Sequence, residues 1–149
     1  MSDTLLVRFF VVVALLAFTV HQVAAGNGTV PRMFITDKQD VQVDVRQVKI
    51  YSQFKKFGSP KPQRKQLKAL PGARGMGKLA IDLEAIQQIK VKESGFTEVL
   101  LDLQLRDGQQ LDFAVFLGRG DIIFEGKTPV GTYSISLKNM KEGVLEFEP

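Results

Sequence analysis

Two stretches of this chain share one pattern of glycines and alternating apolar residues at a spacing of 54, and that repeat restricts the fold more than any other feature. Gly72-x4-Gly77-Lys78-Leu79-Ala80-Ile81-Asp82-Leu83-Glu84-Ala85-Ile86 aligns with Gly126-x4-Gly131-Thr132-Tyr133-Ser134-Ile135-Ser136-Leu137-Lys138-Asn139-Met140. Self-similarity at a fixed spacing marks a supersecondary unit used twice, each copy burying its apolar face against a like neighbour. Alternation through Leu79, Ile81 and Leu83, and through Tyr133, Ile135 and Leu137, reads as a strand. One helical turn is expected next, over Glu84 to Gln88 and over Lys138 to Glu142, followed by apolar strands at Ile89 to Val91 and Val144 to Phe147. Upstream the match continues at a wider spacing of 70, with Asp37, Val41, Val43 and Val45 answering Asp107, Leu111, Phe113 and Val115. The wider spacing implies extra residues in the first half, between Val45 and Gly72.

The segment from Val99 to Val115 sets its own register. Val99, Leu101, Leu103 and Leu105 alternate with Leu100, Asp102 and Gln104, and Leu111, Phe113 and Val115 resume after Arg106-Asp107-Gly108. A three-residue loop with Gly108 in the left-handed region pairs Leu105 with Gln109, Leu103 with Leu111, Leu101 with Phe113 and Val99 with Val115. A two-residue Asp-Gly turn would set Leu103 against Asp112 and turn the apolar set to water. The expected inward faces are Val41, Val43, Val45, Leu79, Ile81, Leu83, Ile86, Ile89, Val99, Leu101, Leu103, Leu111, Phe113, Val115, Ile135, Leu137 and Phe147.

At the N-terminus, Met1 to Arg8 precede an apolar run, Phe9 to Val20, closed by His21-Gln22-Val23-Ala24-Ala25. A charged start, an apolar core too short to span a bilayer and small residues at Val23 and Ala25 predict a signal peptide over 1–25, cleaved before Gly26. His21 is the only histidine and the chain has no Cys or Trp. The processed chain therefore has no thiol nucleophile, His general base, Cys/His zinc site or disulfide. No cofactor, metal or catalytic residue is expected, and the chain is placed outside the cytoplasm, in a periplasm or the extracellular space.

Charge is distributed unevenly. Lys55, Lys56, Lys61, Arg64, Lys65, Lys68, Arg74 and Lys78 fall in one stretch without an acidic residue, while acidic groups outnumber basic ones elsewhere. Gly58, Pro60, Pro62, Pro71, Gly72, Gly75 and Gly77 share that stretch, so a surface loop inserted over 54–72 is expected. With Phe54 and Phe57 beside them, these charges suit phosphates on lipid headgroups, lipopolysaccharide, teichoic acid or another polyanion, held less tightly as salt rises. The competing reading is a solvated loop that balances the acidic remainder. Export argues against nucleic acid as the natural partner.

Other motifs carry less. Gly72 to Gly77 lacks the preceding strand, following helix and Lys-Ser or Lys-Thr pair of a phosphate loop, so a turn is expected there. The derived register sets Asp102 opposite Asp112, yet two carboxylates fall short of the oxygens calcium requires, and a solvated face is expected. Arg119-Gly120-Asp121 spells an integrin-recognition tripeptide, but Gly118 and Gly120 suit a hairpin turn. Ser52, Ser59, Ser94, Ser134 and Ser136 have no His to activate them, and none lies in Gly-x-Ser-x-Gly.

Five short strands per half with one helical turn before the last resemble small SH3-like barrels in architecture. The chain also resembles uncharacterised exported bacterial β-rich domains in which a strand ending in Asp-Gly is followed by Gly-x-x-x-Ile-x-Leu-x-x-Ile. Asp107-Gly108 and Gly131 to Met140 carry that resemblance in the second half, and Gly77 to Ile86 in the first, where Asp37-Lys38 replaces Asp-Gly. The resemblance implies no activity. The expected fold is all-β: two tandem small barrel-like halves, 26–94 and 95–149, or one pseudo-symmetric β-sandwich. The expected role is a non-catalytic binding or assembly module of the cell envelope, its basic loop meeting an anionic polymer, a membrane surface or an acidic protein. Self-association through β-strand edges is the alternative, and a carboxylate-dependent glycan hydrolase is a third.

Overall fold

The computed structural model describes residues 29–147; the predicted signal peptide lies outside them. Short alternating segments produce eleven strands and no α-helix among the described residues. The first part of the chain supplies β1 (Thr29–Asp37), β2 (Gln42–Phe54), β3 (Gln63–Leu67), β4 (Ala69–Arg74), β5 (Gly77–Asp82) and β6 (Ile86–Ser94). The second supplies β7 (Glu98–Leu105), β8 (Gln110–Phe116), β9 (Asp121–Thr128), β10 (Gly131–Ser136) and β11 (Met140–Glu146). All join one antiparallel sheet in the order β10-β9-β2-β1-β11-β6-β7-β8-β4-β5, with β3 paired to β2.

The sheet is curled into a half barrel, and its connectivity demands this. β3 and β4 are joined by Lys68 alone, although β2 and β8, their respective partners, lie on opposite sides of the sheet centre. At about 4.8 Å per strand a flat sheet would hold those sites about 24 Å apart, far beyond the reach of one residue. The strands of the two expected modules are also interleaved: β9–β10 lies on β2, and β4–β5 lies on β8.

The register expected around Asp107 is the observed one. Leu103 pairs with Leu111, Leu101 with Phe113 and Val99 with Val115, Leu105 N–H donates to Gln109 C=O at 2.8 Å, and Gly108 has φ +90°. The hairpin between β1 and β2 is built the same way: Asp37 N–H donates to Val41 C=O at 3.0 Å, and Asp40 has φ +61°. Asp37 therefore stands where Leu105 stands, and Val43 where Leu111 does, a spacing of 68 rather than 70. A slip of two residues leaves every side chain on its own face, so alternation alone does not expose it.

Further pairings recur at the same spacings. Lys38 N–H donates to Asn139 C=O and Arg106 N–H to Ala85 C=O, both at 3.0 Å. Arg46 pairs with Lys127, and Ala114 with Ala73. At the centre of the sheet β6 meets β11 as Gln88 with Val144, Ile89 with Gly143 and Lys90 with Glu142. That register is unchanged when the two strands are exchanged, and the Gln88 amide donates to its counterpart Glu142.

Single 3-10 turns, Leu83–Ala85 and Leu137–Asn139, precede β6 and β11. They begin one residue before the expected helical turns, because Leu83 and Leu137 point into the core, and Gln88 and Glu142 already belong to strands. Two of the expected inward residues are exposed. Val41 is half exposed at the exit of its loop, and Leu79 lies opposite Gly72 on β5, the edge strand of the sheet, beyond the packed centre. Val43 and Phe147 are half-buried against the core.

Much of the core came from segments without clean alternation. Met33 and Ile35 of β1 are buried, although Pro31 and Arg32 interrupt that strand's pattern. In β2 both Val45 and Val48 are buried, because a bulge between Arg46 and Lys49, with Gln47 at φ +52°, switches the inward parity. No polar or charged side chain is buried among the described residues.

Candidate functional site

The basic segment does not form one loop. The expected loop over 54–72 contracts to a connection over 55–62, since β3 pairs with β2 from Ile50–Leu67 to Phe54–Gln63 and β4 follows one residue later. β2 runs on past Lys49, the last residue it pairs with β1, and this overhang offers a free edge. Gln63-Arg64-Lys65-Gln66-Leu67 answers it with backbone hydrogen bonds rather than buried side chains, a signal composition does not carry.

β2 and β3 thus form an arm with an ordered tip. Ser59 N–H donates to Lys56 C=O at 3.0 Å and Gly58 has φ +82°, which makes Lys56-Phe57-Gly58-Ser59 a type II turn. The Ser59 hydroxyl donates to Lys61 C=O at 3.1 Å, holding the returning Pro60-Lys61-Pro62. Phe57 occupies the turn's corner and is fully exposed; Phe54, at the end of β2, is 41% exposed.

The eight predicted basic residues separate into three sets. Arg64 is engaged: its Nε donates to Gln53 Oε1 at 3.0 Å, its Nη1 donates to Glu125 Oε2 at 2.8 Å, and it lies over the Tyr51 ring. These contacts tie β3 to β2 and β9, and the Arg64 side chain is 42% exposed. Lys55, Lys56, Lys61, Lys65 and Lys68 are exposed along the arm and make no ion pair among the described residues. Arg74 and Lys78 flank the turn Gly75-Met76, where Gly75 has φ +59°, at the far end of β4. About 20 Å of extended chain separates them from Lys68, so they stand apart from the arm.

The carboxylate candidates are neutralised locally. Asp102 does face Asp112, but Lys90 pairs opposite Asp102 on the other side, and Lys92 donates to Asp112. That bond holds the Asp112 carboxyl below its ordinary range. Asp121 of the Arg-Gly-Asp string accepts from Ser136 Oγ at 2.7 Å and from Ile122 N–H at 2.8 Å, directly after a turn closed by Gly120 N–H on Leu117 C=O. Ser94 Oγ donates to Lys138 C=O at 3.0 Å. No group of three or more His, Cys, Asp or Glu able to hold a metal ion occurs among the described residues.

Two open hollows were not legible in the sequence. One, of about 590 Å³, sits at the β2 bulge between Asp44, Arg46, Gln47, Lys127 and Pro129. The other, of about 260 Å³, opens beside the Ala73–Ala114 pair of β4 and β8 and is lined by Ala73, Lys92, Leu100, Asp112, Ala114 and Phe116. Both lie between segments remote in the chain, and no local pattern reports such meetings. Comparison with protein families, curated proteins and solved structures finds no match to this chain.

Proposed function

We propose that the protein is a non-catalytic binding or assembly module of the cell envelope, which uses the β2–β3 arm to hold an anionic partner. The observation that carries this reading is the row of five exposed lysines, Lys55, Lys56, Lys61, Lys65 and Lys68, without ion-pair partners among the described residues. Such a patch attracts anionic polymers, membrane surfaces and acidic proteins alike, through a field that salt screens within about 10 Å. Export through the leader 1–25 places it outside the cytoplasm, and catalysis has no part in the reading.

The recurring pairings support a related proposal about architecture. Cut between β6 and β11, the sheet becomes two runs of five strands, β11-β1-β2-β9-β10 and β6-β7-β8-β4-β5. We read these as two SH3-like units that have exchanged hairpins, with the arm as the segment only one of them carries.

The test is co-sedimentation of the processed chain with envelope fractions across a salt series, beside a variant with the five lysines changed to Gln. Binding that weakens with salt and is lost in the variant supports the reading; equal binding by both proteins refutes it. A second reading, association through strand edges, draws on β5, which ends the sheet with Lys78, Leu79 and Ala80 exposed. Ala80 points its N–H away from β4 in the register set by Arg74–Gly77. Ala80→Pro would therefore abolish strand addition without breaking the β4 ladder, and association that persists in it would exclude the second reading.

A further inference from the structure

We infer that the anionic partner of the arm is a lipid bilayer, entered by Phe57. The inference rests on the anion-binding reading above and deepens it. A soluble polyanion or an acidic loop would be served by the lysines alone and gives no reason to hold an aromatic ring in water at the tip of the arm. Phe57 is fully exposed, and its backbone occupies the corner of a hydrogen-bonded type II turn, with Gly58 in the left-handed conformation and Pro60 and Pro62 on the return. Lys55, Lys56 and Lys61 flank it, and Phe54 lies behind it at the end of β2, partly exposed.

This is the arrangement an interfacial anchor requires. The ring enters the boundary between headgroups and acyl chains, while the lysines remain at the level of the phosphates and their stems cover the apolar neck. Neither signal holds a membrane firmly alone, and each strengthens the other, since charge concentrates the arm at the surface and the ring slows its departure. Arg64, bonded to Gln53 and Glu125, transmits the load to β2 and β9. The arm therefore engages as a stiff unit.

The chain contains no tryptophan, so Phe57→Trp places a single fluorescent reporter at the tip. The processed protein, beginning at Gly26, is titrated with vesicles of phosphatidylglycerol and phosphatidylcholine, with pure phosphatidylcholine vesicles, and with sodium polyphosphate as a soluble polyanion. The expected result is a blue shift of the indole emission of Phe57→Trp on the phosphatidylglycerol vesicles alone, with quenching by brominated acyl chains. Phe57→Ser should weaken binding to those vesicles by about ten-fold or more, as loss of one buried aromatic predicts, and leave polyphosphate binding unchanged. Changing Lys55, Lys56 and Lys61 to Gln should weaken both. Polyphosphate binding with no blue shift on vesicles, or vesicle binding equal in Phe57→Ser and the parent, overturns insertion while the anion reading stands. Binding to neither vesicles nor polyphosphate overturns both.

Discussion

Gly126→Ala tests whether the close approach of β9 to β2 is as tight as the structure requires. A methyl group placed on Gly126 would lie 2.5 Å from Val45 Cγ1 and 2.7 Å from Arg46 C=O, with Val48 Cγ2 at 3.2 Å. One obstacle is backbone and another a β-branched side chain with little rotamer freedom, so β9 must move outward by roughly 0.9 Å to restore ordinary contact. Overpacking of this kind costs about 1–3 kcal/mol, and the lower entropy of an unfolded Ala returns about 0.4–1 kcal/mol. A net loss of about 1.5 kcal/mol is expected, which at a urea slope near 2 kcal/mol/M lowers the unfolding midpoint by about 0.7 M. Gly143→Ala is the internal control: its methyl would meet the terminal carbon of Met33, a flexible side chain that can swing aside. The readout is the urea midpoint followed by far-UV circular dichroism. If Gly126→Ala unfolds no earlier than Gly143→Ala, the packing of β9 on β2 is looser than described. Gly72→Ala, facing Phe113 Cζ at 2.5 Å and the Ala114 carbonyl, should behave like Gly126→Ala.

Leu103→Ala, at a fully buried site, should lose about 2–5 kcal/mol, whereas Val41→Ala, half exposed, should stay within about 0.5 kcal/mol; comparable losses would contradict the assignment of the inward face. Asp44 receives two bonds from Arg32, at 3.0 and 2.8 Å, and its carboxyl is held below the ordinary range by that guanidinium. The pair therefore contributes stability above the unfolded carboxylate pKa of about 3.9, and the contribution disappears as pH falls through the lower folded value. Urea midpoints measured from neutral pH downward should fall less steeply in Asp44→Asn than in the parent, and parallel curves would show the pair to be inert. Arg64→Ala should accelerate amide exchange across β3 while changing global stability by less than about 1 kcal/mol, because the Glu125 pair is partly exposed. Unchanged exchange would remove Arg64 from its role as a clamp.

What the sequence determined by itself was local. A period of two tells each side chain which face it occupies, and a short loop with one left-handed residue then settles its own register, as Leu103 with Leu111 illustrates. The segments that follow Gly77 and Gly131 were legible as strands ending in one tight turn, since that signal spans only a few residues, whereas Gly72, expected in a turn, lies within β4. The basic residues were legible as a charged stretch, with Phe57 beside them. Partner choice was not legible, because backbone hydrogen bonds look alike for every partner. Alternation therefore says nothing of whether β4–β5 lies on β2 or on β8, and a two-residue slip at Asp37 preserves every face. Only the tertiary structure fixed the crossing of the hairpins, the bulge at Gln47 that turns Val48 inward, and the overhang of β2 that draws Gln63–Leu67 into a strand. It alone divided the eight basic residues, bonding Arg64 to Glu125, leaving five lysines along the arm and carrying Arg74 and Lys78 to the far end of β4. The reason is physical: faces follow from covalent geometry one residue at a time, whereas partners follow from which distant edges remain unsatisfied once the sheet curls.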